Sequence, residues 1–456
     1  MNRFLQTLKN IWSIEELRNK ILFTLIAVAV FRIGSHIILP GIVSTSMSQA
    51  YGSSGQPADL LGLINTFTGG AFLKGSILAL GIMPYITASI IVQLLGFAVP
   101  YFQRLQSKEG ESGRKRLNQI TRLLTVFITL VQGGAYLTLI SQTPRAISPN
   151  VDHGIFWISG IIILSTGTIF AMWLGEKITD RGIGNGISLL IMIGIIARLP
   201  QTFVGEVLNQ FAENNLFMLI LELALIFLVI IGTIMIVQGV RKIPLQYAKR
   251  MVGRSSSSLP VMSNRDFLPI KVNAAGVMPI IFAQAIIFLP AMLGRYLAGD
   301  GGVNSDFLRN MSDWKSFSYN LIFFLLIVLF TYVYTALIIN PTQNADFLKR
   351  QNAFIPGVKP GQDTADYIDS ITSKITLPGS IFLGLIAIFP AIVARLGVGD
   401  GFALFFGGTS LLILVAVVLD TLQQIESYLL LRKYESLSSQ GKIKGRGVGM
   451  QIGADI

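Results

Sequence analysis

Residues 320–339 read NLIFFLLIVLFTYVYTALII, a run without one charged side chain. At about 1.5 Å per residue a helix of this length spans about 30 Å, the thickness of a bilayer's hydrocarbon core, so the run is predicted to cross a membrane. The rest of the 456-residue chain has the same character. Hydrophobic residues make up 52% and charged residues 13%, where a soluble domain carries about 25% charged residues. Scanning outward from 320–339 gives ten mostly apolar stretches long enough to cross: 21–39, 76–99, 119–141, 155–174, 183–200, 215–238, 272–293, 318–339, 376–396 and 402–430.

The formal net charge is +12, and its distribution gives an orientation. With ten spans and both termini on one side, the terminal segments and the loops on their side carry 28 Lys and Arg, against 7 on the opposite side and Arg32 inside the first span. Short loops rich in Lys and Arg stay in the cytoplasm, so both termini are expected there. No small-residue cleavage site follows the first span and Arg32 interrupts it, so it reads as a retained anchor rather than a signal peptide. Leu60 to Phe72 (LLGLINTFTGGAF) is apolar but too short to cross. It is either a helix lying on the outer surface or a re-entrant half-helix dipping between the spans.

Several function classes drop out. Basicity suggests nucleic acid, but long apolar runs separate the charges. There is no cysteine and there are only two histidines, His36 and His153. Thiolate chemistry is therefore impossible, and no cofactor or metal site is expected. Gly175 to Ser188 (GEKITDRGIGNGIS) alternates glycines at 182, 184 and 186 without the strand or spacing of a dinucleotide fingerprint, and reads as a tight cytoplasmic turn before a closely packed span. No Gly-Lys-Ser/Thr triplet occurs, which excludes a P-loop. Gly52-Ser53-Ser54-Gly55 has the lettering of an intramembrane serine protease, but its polar surroundings make it a loop.

Ionisable groups within spans are functional candidates by default. They are Arg32, Glu222, Asp420 and Glu426. Glu222 lies near a span end and is expected to reach an interface, and the last span is long enough for Asp420 and Glu426 to protrude into the cytoplasm. The set is too sparse for a proton or ion relay, which weakens the alternative of a secondary transporter of a small solute. Isoleucines beside glycine or proline, such as Ile82, Ile86 and Ile90 near Pro84, suit either an apolar constriction or ordinary lipid contact. Two basic cytoplasmic loops exceed mere connectors: Arg241 to Lys271, with seven basic residues and one acidic, and Asn340 to Lys374, with Pro356-Gly357-Val358-Lys359-Pro360-Gly361. Docking of a protein or of ribosomal RNA is the reading preferred over simple topology-setting charge.

Nine stretches, in one order along nearly the whole chain, resemble the SecY/Sec61-alpha family of protein-conducting channels. They are FRIGSHIILPGI (31–42), FTGGAF with LALGIMPYITASIIVQLL (67–95), KEGESGRK (108–115), MWLGEKITDRGIGNGIS (172–188), YAKR (247–250), LPIKVNAAGVMPIIFA (268–283), TALIINPTQNADFLKR (335–350), IPGVKPG (355–361) and FGGTSLLI (406–413). The resemblance implies an all-α integral membrane protein with ten transmembrane helices in two inverted pseudo-symmetric halves around a central hourglass pore. It divides the chain into 1–200 (helices 1–5), 201–431 (helices 6–10) and a cytoplasmic tail, 432–456. The segment 60–72 would be a plug helix, which favours re-entry. A pore ring would fall on Ile82, Ile86, Ile187, Ile191, Ile281 and Ile413. Gln93, Gln132 and Asn273 would belong to a lateral gate between helices 2–3 and 7–8.

The function implied is passage of unfolded polypeptides across the bacterial cytoplasmic (inner) membrane and sideways release of apolar segments into lipid, with no enzymatic step. The implied partners are SecE and SecG-type small subunits, the SecA motor, the ribosome with a ribosomal RNA contact, signal-peptide-bearing nascent or precursor polypeptides, and membrane lipids. Arg241, Lys242, Lys249, Arg250, Arg254, Lys349, Arg350 and Lys359 would dock the motor or ribosome. The family's turn reads P-G-x-R-P-G, so Lys359 keeps the positive charge but loses a planar bidentate donor.

Overall fold

A computed structural model of the chain describes residues 12–44, 46, 60–107, 110–149, 151–247, 266–284, 286–287, 313–405 and 408–439. Its long helices are α1 (Glu15–Gly34), α3 (Met83–Ala98), α5 (Gly110–Gln142), α6 (His153–Arg181), α7 (Gly186–Ala212), α8 (Leu216–Gln238), α9 (Phe317–Ile338), α11 (Gln362–Arg395) and α12 (Gly408–Ser439). Shorter ones are α2 (Leu60–Phe67), α4 (Pro100–Ser107) and α10 (Pro341–Arg350). Among the described residues, seven helical stretches are long and apolar enough to cross a membrane, within α5, α6, α7, α8, α11 and the stretches beginning at Phe317 and Gly401.

The expected spans and these helices differ where proline and glycine intervene. The second stretch, 76–99, is helical only from Met83, because Pro84 stands in its first turn, where a missing N–H leaves no bond unmade. The irregular residues before it are tied to the chain after α1: Ile77 donates to the Ile37 carbonyl at 2.9 Å and Leu39 to that of Gly75 at 2.8 Å. Within a membrane such backbone is tolerated only when packed in protein. The first span ends at Gly34 rather than 39, and residues of the seventh beyond 287 lie outside the described residues. The expected division at residue 200 falls inside α7, which runs through Pro200 to Ala212.

A three-stranded antiparallel sheet was not anticipated. β1 (Val240–Tyr247) pairs with β2 (Asp266–Lys271), and its far end pairs with β3 (Ala353–Phe354) across more than a hundred residues of sequence. Ile243 and Leu245 point one way along β1 and are buried, while Arg241 and Lys242 are exposed. Ile243, Leu245, Ile270, Leu348, Ala353, Ile355 and Ile368 form a small core separate from that of the spans. Pro244 and Pro269 disguise both strands, since proline is normally confined to edges and bulges.

The turn 182–185 is packed as its glycines imply. Asn185 caps α7 by accepting from the N–H groups of Ile187 and Ser188. Ile183 donates to Thr24 Oγ1 at 3.1 Å and Gly184, at φ +79°, to Gln424 Oε1 at 2.8 Å. Lys20 Nζ donates to Tyr428 Oη at 2.6 Å. The first and last long helices thus meet at this turn. A Cβ at Gly186 would collide with the Gly175 carbonyl. Gly186→Ala should therefore destabilise the protein by about 1–3 kcal/mol through overpacking. Gly205→Ala, with nothing within 4 Å of the added atom, should leave stability unchanged or slightly raised. Thermal unfolding of the purified variants in detergent checks the pair, and equal shifts would contradict this packing.

Candidate functional site

The six isoleucines expected at the constriction belong to one apolar cluster, with Ile82, Ile86, Ile191 and Ile413 buried and Ile187 and Ile281 partly buried against it. They come from the N-cap and first turns of α3, from α7, α12 and the helical turn at 278–284, and they share this cluster with most of the core of the spans. Phe67, the last residue of α2, is buried in the same cluster. The short segment is therefore packed among the spans and does not lie on the outer surface. Asn65 and Thr66 are both 2% exposed. Asn65 Oδ1 accepts from the Leu73 N–H at 3.1 Å, and its carbonyl accepts from Gly70 at 2.8 Å. The short helix and the turn after it are thereby bound into one unit.

Of the three residues expected at a gate, Gln93 has a cross-helix partner. Tyr334 on α9 donates to Gln93 Oε1 at 3.2 Å, and Gln93 Nε2 donates to Ser89 at 3.1 Å. Tyr334 also packs against Phe282, ring centroids 4.7 Å apart. Asn273 is buried with no partner for its Oδ1 among the described residues, and Gln132 on α5 is partly buried. Tyr334 escaped the sequence reading because it lies inside the charge-free run; a tyrosine there, one of few side chains able to donate a hydrogen bond, was the available signal.

The basic residues lie around the three-stranded sheet. Arg241, Lys242, Lys349, Arg350 and Lys359 are exposed, while Lys249, Arg250 and Arg254 fall outside the described residues. The 356–361 turn is held by the Val358 N–H to the Ile355 carbonyl, 3.1 Å, and by Thr364 Oγ1 to the Lys359 carbonyl, 2.7 Å, so Lys359 projects from fixed backbone. Tyr247 donates to Asp266 at 3.2 Å. Desolvation and that carboxylate push its phenol above the ordinary tyrosine range, so it stays a neutral donor.

The ionisable groups of the spans find unequal places. Arg32 Nη1 donates to the Gly69 carbonyl at 3.4 Å. Asp420 and Glu426 are exposed on the long α12. Glu222 does not reach an interface: it is fully buried and accepts from Gln210 Nε2 at 3.0 Å. The same nitrogen donates to Glu206 at 3.0 Å, and the Gly399 N–H donates to Glu206 at 3.2 Å. The expectation failed because α7 continues past 200 and turns back at 213–215, setting Glu206 and Gln210 beside Glu222. Their i, i+4 spacing was the legible clue. Among the described residues no group of three or more His, Asp or Glu could hold a metal.

Comparison with known proteins agrees with this geometry. A model of the SecY family matches residues 76–422. The chain is 40% identical over 449 residues to the protein translocase subunit SecY of Mycobacterium tuberculosis, covering 95% of this chain and 99% of that protein. To the protein of the same name in Chlamydia trachomatis it is 37% identical over 466 residues, covering 96% and 99%. Among solved structures, a protein-conducting channel superposes with a TM-score of 0.63 at 20% identity, covering 92% of this chain and 94% of that one. A SecY structure whose plug domain is described as stabilizing the closed state and maintaining a membrane seal gives 0.61 at 20%, with the same coverage. The canine Sec61 of a ribosome-channel complex gives 0.58 at 18%, also covering 92% and 94%. At these identities the superpositions establish a shared fold.

The Gln93 and Tyr334 contact is open to direct measurement. In a double-mutant cycle of Gln93→Leu and Tyr334→Phe, unfolding free energies should show a coupling of about 0.5–1.5 kcal/mol. Additive effects would mean that the two side chains do not interact.

Proposed function

The chain belongs to the SecY family, whose members are translocation channels and not enzymes, and from that premise we propose how its parts conduct a polypeptide. The observation that carries the reading is the convergence of Ile82, Ile86, Ile187, Ile191, Ile281 and Ile413, with Phe67, in one apolar cluster. A ring of branched apolar side chains leaves water and ions no polar partner, so it seals by excluding them. It also yields to any extended chain, because it bonds to none. The segment 60–72 acts as a plug beneath this ring.

Sideways release needs a seam that opens toward lipid. The seam proposed here runs between α3 and α5 on one side and the helical turn at 278–284 and α9 on the other, with Gln93, Gln132 and Asn273 along it. The Tyr334 to Gln93 hydrogen bond is one weak polar closure of that seam. At an open seam each Leu or Ile of a passing segment gains about 0.3–0.6 kcal/mol in hydrocarbon while a charge loses about 2.5–3.5. Sorting therefore follows from the segment's own composition.

The basic surface around β1, β2 and the Lys359 turn is the docking platform for what delivers polypeptide: the ribosome, through protein or ribosomal RNA, or the SecA motor. SecE and SecG-type subunits complete the channel. The excess of 28 over 7 basic residues supports a multi-pass protein of the bacterial cytoplasmic membrane with both termini inside. Proteoliposomes test these assignments. Replacing Ile86, Ile191 and Ile413 together with serine should raise ion conductance well above background, and unchanged conductance would remove them from the seal. Lys359→Glu should block export of a secretory precursor at normal membrane insertion; normal export would exclude Lys359 from docking.

A further inference from the structure

Arg32 presents a problem that the channel reading does not answer. It stands in the last turn of α1, half-buried, and among the described residues no carboxylate pairs with it. A cation on the apolar part of a span is disfavoured unless something holds it, so it needs a role. Among the described residues its guanidinium makes one hydrogen bond, to the carbonyl of Gly69 in the turn two residues beyond α2, where carbonyls lack intrahelical donors.

The surroundings are shaped to this contact. Gly69 has φ +66°, and a Cβ there would strike the Arg32 guanidinium and stand 3.0 Å from Gly194 Cα. A Cβ at Gly194 would strike the Phe67 carbonyl. Backbone thus meets backbone between the 67–69 turn and α7, and Arg32 closes the remaining side. A second donor acts further along the segment: Tyr136, 1% exposed on α5, donates to the Phe72 carbonyl at 2.6 Å, its ring 4.7 Å from that of Phe72. The two grips differ. Tyr136 is short, buried and braced by aromatic packing, whereas Arg32 is longer, half-buried and reaches a neutral acceptor. The unit between them is internally tied through Asn65.

Resting on the reading of 60–72 as a plug, we propose that Arg32 is the releasable catch that holds this segment in its seated position, and that Tyr136 is the pivot about which it leaves. Arg32 is a positioning residue: it touches neither the passing polypeptide nor the constriction, and acts through the Gly69 carbonyl. The catch lets go at small cost because the guanidinium exchanges one carbonyl for water, while the pivot keeps the displaced segment attached. An arginine suits the task, since it cannot lose its charge and carries five donors, one of which suffices.

The absence of cysteine makes an introduced one a clean reporter. Thr66→Cys places a thiol on the seated segment at a residue 2% exposed, and its alkylation by a membrane-impermeant maleimide in proteoliposomes reports unseating. Adding Arg32→Met should raise the alkylation rate and idle ion leak about three- to tenfold, the equivalent of one weak hydrogen bond. Arg32→Lys, which keeps a donor on a shorter reach, should fall between. Tyr136→Phe should speed alkylation less than Arg32→Met does, because aromatic packing remains. A fourth variant lacking residues 60–69 tests the underlying reading through leak alone. If the deletion raises leak but Arg32→Met changes neither alkylation nor leak, the catch is wrong and the plug stands. If the deletion leaves leak at background, the plug reading fails with it. Should Arg32→Met not fold, Arg32→Lys decides: an alkylation rate equal to that of the parent overturns the catch.

Discussion

No backbone N–H or C=O can go unpaired in hydrocarbon, and the rest of this architecture depends on that constraint. The long helices meet it internally. The functional parts are the places where it is met by other means. Among the described residues between Gly34 and Met83 helix comes only in short pieces, yet polar groups there are taken up by the 37–39 and 75–77 exchange, by Asn65, by Tyr136 and by Arg32. An irregular segment can therefore sit among spans, because the surrounding helices supply the donors it lacks. Such a segment can also be displaced, since those donors are side chains rather than a helical ladder.

The same accounting separates the two faces of the molecule. In the spans, a hydrogen bond that crosses from one helix to another, such as Tyr334 to Gln93, stands in apolar surroundings, so its gain or loss shifts the balance between arrangements. Outside them, the sheet of β1, β2 and β3 joins two loops into one rigid surface with its own small core. Paired backbone beneath Arg241 and Lys242 and the bonded turn beneath Lys359 hold these charges at fixed spacing.

Much of the fold was legible before any coordinates, for a physical reason: a bilayer demands long apolar runs, and runs such as 320–339 admit no other use. What escaped was whatever depends on partners remote in sequence. The isoleucines at 82, 86, 187, 191, 281 and 413 are chemically identical to lipid-facing ones, and only the family resemblance singled them out. The strand Val240–Tyr247 was hidden by Pro244 and by a partner at residues 353–354. Glu222 was misplaced because the end of the preceding helix was set at a proline that the helix passes through. Tyr136 and Tyr334 act through single hydroxyls, which leave no periodic trace.

The seam between the first and last long helices has a consequence for biosynthesis. Lys20 and Tyr428 are 408 residues apart, and Gly184 waits on Gln424. A chain made from its N-terminus forms the 182–185 turn long before the acceptor for the Gly184 N–H exists. Closure of the ring of helices is thereby coupled to completion of the chain: a product truncated before Gln424 holds every earlier span and still lacks the bonds that bring the first helix and the last together.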